Sequence, residues 1–146
     1  MKIETAKKVY NQAPSWYKEV LEDEFGKEKL IERKFTDINS LEVARIATGE
    51  TLVYLGFRRD EADDEWAYRM LKMVRDAICQ DWEPDWKNTN QKKWTPIINR
   101  SAGSGFSGSN CDCECAYTTA GSRLWFETEK QSDHFGRTFI DLIMKF

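Results

Sequence analysis

Residues 81–100, DWEPDWKNTNQKKWTPIINR, mark the point where the apolar pattern of the chain changes period. Upstream, Trp66, Met70, Met73, Val74 and Ala77 follow an i, i+4, i+7, i+8, i+11 rule. That spacing predicts a helix over 60–80 with Arg69, Lys72, Arg75 and Asp76 on its solvent side. Beyond Pro84 the alternation has period two. It predicts strands over 94–98, 111–118 and 123–127. A Gly/Ser-rich turn over 102–110 joins the first two, and Ala120, Gly121 and Ser122 close the last hairpin. The finish is a helix whose Phe135, Phe139, Leu142, Ile143 and Phe146 form one stripe.

The first third of the chain is helical by the same test. Ile3, Ala6, Tyr10 and Ala13 keep helical spacing, Pro14 interrupts, and Trp16 with Val20 and Tyr17 with Leu21 continue it. Gly26 ends that second segment, and Asn39 or Ser40 caps a third over 41–47. Residues 48–57 hold the run TLVYLGF, which has strand-like content between helical patterns and is left open. The acids Asp60, Glu61, Asp63, Asp64 and Glu65 suit a helix first turn, where carboxylates meet the positive end of the helix dipole. They lack the glycine and terminal glutamate of a calcium loop. The expected fold is α+β: a helical N-terminal part, a small three-stranded antiparallel sheet, and a C-terminal helix packed on it.

At 146 residues the chain fits a single domain able to bury roughly 70% of its unfolded surface. A hydrophobic fraction of 40% beside 32% charged residues is that of an ordinary globular protein. No apolar run approaches the roughly 20 residues of a membrane span, and the N-terminus has no apolar signal core, so the expected location is the cytoplasm, without a membrane. A net charge of −3 excludes general attraction to nucleic acid. The halves differ: residues 1–65 carry eleven cations against fifteen acids, and residues 66–146 eleven against ten.

Few residues point to chemistry. Cys111, Cys113 and Cys115 alternate as one face of a strand does, roughly 6.5–7 Å apart, too far strung out to share a tetrahedral zinc or a disulfide. Neither a metal nor a cofactor is expected. His134 is the one histidine, read as a surface or helix-cap group, so no catalytic residue is assigned. The GSGFSGS run has glycines but no Lys-Ser/Thr and helix after it, and so is not a phosphate loop.

What remains is the tryptophan-rich segment. Trp86, Asn88, Asn90, Gln91, Lys92, Lys93 and Trp94, with Arg123 from the third strand, are the candidate ligand contacts, because indoles stack while amides and cations bind edges and phosphates. Arg123 either ties the sheet to an acid such as Glu114 or reaches solvent as a contact.

The order of residues 82–94, Gly105-Phe106-Ser107, 121–126 and 135–142 resembles a family of small proteins of bacteriophages and prophages of gut bacteria to which no activity is attached. That resemblance implies a mobile-element origin and no catalytic residues. The leading function is a noncatalytic accessory or regulatory module that holds a protein partner through the exposed part of residues 86–94 and the adjoining sheet. A single-stranded nucleic-acid binder using the Trp and Lys of residues 86–94 is the alternative, and an enzyme is third.

Overall fold

The computed structural model describes residues 1–99, 105–112 and 124–146. They form a mixed α and β architecture with two compact units, Met1–Lys34 and Phe35–Phe146. The division does not follow the change of period near residue 80. The long helix and the strands bury one common core, so they belong to one unit.

In the first unit α1 (Ile3–Tyr10), α2 (Ser15–Phe25) and α3 (Lys27–Leu30) enclose Ala6, Tyr10, Leu21 and Leu30. Pro14 precedes α2 in extended conformation, and Gly26 ends it at φ 84°, a value that favours glycine. The Tyr10 hydroxyl donates to Glu22 and joins α1 to α2.

In the second unit α4 (Leu41–Thr48) starts at Ser40, whose Oγ accepts from the Val43 N–H at 3.3 Å. The open stretch after it resolves as a 3-10 turn over Leu52–Leu55. Then α5 (Asp63–Cys79) runs through the centre, packed by α4, by α6 (Glu129–Thr138) and by α7 (Ile140–Ile143). Of the five acids expected in its first turn, Asp63, Asp64 and Glu65 occupy it, and Glu65 accepts from the Ala62 N–H at 3.0 Å, whereas Asp60 and Glu61 precede the helix. The expected solvent side of this helix is corrected: Arg69 and Arg75 are buried among its core residues. Periodicity counts a guanidinium as polar, whereas here each fork finds acceptors that neutralise the cost of burial.

The sheet is an antiparallel ribbon of β1 (Lys93–Asn99) and β2 (Gly105–Asp112), in register from Lys93 opposite Asp112 to Asn99 opposite Gly105. Two expectations change. The Gly/Ser stretch read as turn over 102–110 lies in β2 from Gly105 onward, and the second strand begins there rather than at Cys111. Glycine and serine carry no apolar signal, so their alternation is invisible to a hydrophobic count. Gly108 at φ 138° absorbs the irregularity opposite Ile97 and Ile98. Residues 113–123, with the rest of the expected second strand and the hairpin, lie outside the described residues. Of the expected third strand, Phe126 makes a single bridge, exchanging N–H···O bonds of 2.9 and 2.8 Å with Trp94. A strand residue points its N–H and C=O to the same side, so Phe126 borders β1 on the edge away from β2.

The terminal helix breaks at Phe139 into α6 and α7. Thr128 and Gln131 form a reciprocal cap at its start. Phe135, Phe139, Leu142 and Ile143 are buried as the stripe requires, while Phe146 is exposed and stacks on Tyr68. No helix among the described residues is long and apolar enough to cross a membrane.

Candidate functional site

The tryptophan-rich segment folds onto itself. Lys93 is only 3% exposed, and its ammonium donates to the carbonyls of Asn88 at 3.3 Å and Gln91 at 3.0 Å while lying 5.2 Å from the centre of the Trp86 ring. Trp86 meets the buried Trp125 edge to face. The polar side chains close the same loop: Asn88 accepts from the Asn90 N–H, Gln91 from that of Asp85, and Asp85 from that of Lys87. Trp86, Asn88, Gln91 and Lys93 are thus brought together as a loop clamp. Trp94 packs against the core from β1. Lys87, Asn90 and Lys92 remain exposed. Arg123 lies outside the described residues.

Behind the clamp, Arg75 joins α5 to the following loop. Its Nε donates to the Trp125 carbonyl at 3.0 Å, Nη2 to the Trp82 carbonyl at 3.2 Å, and Nη1 to Glu83 and Asp76. The Trp82 ring lies against the guanidinium. Cys79 sits beside the same Trp125 carbonyl, and burial pushes its thiol up to about 11, leaving no thiolate for nucleophilic attack.

No catalytic set assembles among the described residues. His134 Nε2 contacts the Ile38 carbonyl at 2.8 Å and its ring meets the edge of Phe35. The Ser109 hydroxyl donates to Asp133 at 2.6 Å and lies 2.8 Å from the buried Ser132 hydroxyl, which ties β2 to α6. Among the described residues no three His, Cys, Asp or Glu side chains are grouped to hold a metal. Cys113 and Cys115 lie outside the described residues.

The surface that stands out was not among the sequence candidates. Leu52 is 68%, Val53 86% and Phe57 57% exposed, on the loop leading into α5. This loop is strapped down from inside. Arg69 takes both carboxylate oxygens of Glu61 at 2.7 Å, donates to the Gly56 carbonyl at 2.7 Å and to that of Tyr54, and stacks over the Tyr54 ring. Asp60, at φ 61°, reverses the chain so that Glu61 returns to meet it. Trp66 adds a bond to the Leu55 carbonyl at 2.9 Å, and Phe57 stacks on its ring at 5.0 Å. Beside the loop is an open groove of about 410 Å³ whose walls include Arg58, Arg59, Tyr68 and Lys72. The trace in the sequence is a short apolar run, TLVYLGF, between helical patterns, of which Tyr54 and Leu55 pack on the core and Leu52, Val53 and Phe57 stay exposed.

Electrostatics fixes the strap. The Arg69 fork holds the Glu61 carboxyl down to about 2, against the opposing effect of burial, and the Arg58 N–H adds to it. A carboxyl held below its ordinary 4.5 contributes stability that is whole above that value and vanishes as pH falls toward 2. Glu61→Gln is therefore expected to melt below the wild type at neutral pH and to converge with it by about pH 2. Thermal melts across the acid range check this; a difference that stays constant with pH would mean that the ionised pair contributes nothing.

Comparison of the chain with family models, with curated proteins and with solved structures gave no match.

Proposed function

We propose that this chain is a noncatalytic interaction module, an accessory or regulatory protein of a phage or prophage, that docks a protein partner through residues 52–59. The observation that carries the reading is the exposure of Leu52, Val53 and Phe57 on a loop already ordered by Arg69. Exposed apolar side chains grouped on one element mark interaction surfaces, and an ordered loop loses little entropy on docking. The mobile-element origin rests on the resemblance carried by residues 82–146. The nucleic-acid reading draws less support, since the Trp86 ring is engaged by Lys93 and Trp125 and the exposed cations of that segment are Lys87 and Lys92.

The test compares wild type with Val53→Asp in affinity capture from phage-infected cells, with and without nuclease. Val53 is the most exposed of the three, so its replacement leaves the melting temperature within about 2 °C. The expected result is a nuclease-resistant partner whose recovery falls about tenfold with Val53→Asp. Equal recovery by both proteins removes this loop from the function, and loss on nuclease treatment favours nucleic acid.

A further inference from the structure

The groove beside the apolar loop has an unusual charge inventory. Of its acids, Glu61 is held by the Arg69 fork, Glu65 accepts from the Ala62 N–H, and the exposed Asp60 lies 3.7 Å from Arg59. Of its four cations, Arg69 and Arg59 meet those acids, whereas Arg58 and Lys72 make no ion pair among the described residues. Arg58 lies 5.9 Å from the Tyr54 ring centre and Lys72 lies 4.8 Å from that of Tyr68, and among the described residues neither has a carboxylate within 4.0 Å. A ring face stabilises a cation through its quadrupole yet offers no lone-pair acceptor for the N–H groups. Arg69 shows the contrast, since it also stacks on Tyr54 but spends its donors on Glu61 and two carbonyls. Arg58 and Lys72 are therefore positioned by tyrosines with donors still to be used, and both line the groove.

We infer that this groove takes an aspartate or glutamate side chain of the partner protein, held between Arg58 and Lys72 while apolar residues of the same segment cover Leu52, Val53 and Phe57. The inference rests on the docking reading and names the chemistry of the partner. A charge-assisted contact at the rim supplies orientation and on-rate, while the apolar loop supplies the burial.

A random peptide library displayed on phage is the probe, panned in parallel against wild type, the double variant Arg58→Ala with Lys72→Ala, and Val53→Asp. Circular dichroism melts confirm that each is folded. Wild type is expected to enrich peptides with an apolar pair and an acid at fixed spacing. The double variant is expected to keep the apolar preference and lose the acid, and a synthetic wild-type winner to bind it about fivefold more weakly. An apolar consensus without an acid, or an acid that persists in the double variant, overturns the inference and leaves the docking reading standing. An acid consensus that survives Val53→Asp but not the double variant supports the groove and sinks the docking reading. Absence of any consensus on wild type overturns both. Binding of inorganic phosphate by wild type in place of acidic peptides also overturns the inference, because it assigns the groove to a free anion.

Discussion

Arg75→Met is expected to destabilise the Phe35–Phe146 unit by roughly 2–4 kcal/mol, measured by urea unfolding followed through tryptophan fluorescence. Methionine fills most of the volume, so the loss isolates the polar contacts. Glu83 is 74% exposed and returns to water when its partner goes. The buried Trp125 carbonyl would keep only the weak Cys79 thiol donor, the part-buried Trp82 carbonyl loses its bond as well, and a stranded acceptor costs about 1–3 kcal/mol. Arg75→Lys recovers little, because one ammonium cannot reach acceptors spread around a planar fork. Glu83→Ala serves as the control and is expected to cost under about 1 kcal/mol as an exposed pair. If it costs as much as Arg75→Met, the stabilisation lies in the ion pair and not in the carbonyls.

The second large effect is expected at Gly136, where α6 crosses the ribbon. A Cβ there would stand 2.3 Å from Phe106 Cδ2 and 2.9 Å from Pro96 Cβ, closer than carbon atoms pack. Helix propensity favours alanine over glycine by about 1 kcal/mol, but overpacking outweighs it, and Gly136→Ala should lose a net 1–3 kcal/mol or so. Phe106 also carries the Arg137 guanidinium over its ring at 4.7 Å, so its retreat forfeits that contact. The check is a double-mutant cycle: with Phe106→Ala already present, Gly136→Ala should become close to neutral or stabilising. Additive losses would show that the clash is relieved elsewhere.

Both positions show what a sequence can and cannot disclose. The helix over α5 was legible because Trp66, Met70, Met73 and Val74 repeat at its period, and the cap at Ser40 because a hydroxyl before an apolar run has few other uses. The burial of Arg69 and Arg75 was not, since it depends on carbonyls brought close only by tertiary folding. The start of β2 is not legible, because GFSGSN alternates in geometry without alternating in hydrophobicity. The tryptophan segment is distinctive in composition, yet composition does not say that Lys93 will turn inward to its own loop. Conversely, the exposure of Leu52, Val53 and Phe57 is not legible in the run TLVYLGF, because exposure is a property of what fails to pack against a residue.

Cys79 gives the second unit an internal clock. Its sulfur sits under the Trp125 carbonyl, out of solvent, with a proton that leaves only near pH 11. A thiol reagent can reach it only while α5 and residues 124–126 are parted, and at reagent concentrations where modification outpaces reclosing its pace is the pace at which that seam opens. Peptide mass separates this cysteine from the other three of the chain, so a native residue times the breathing of the core without a probe being introduced.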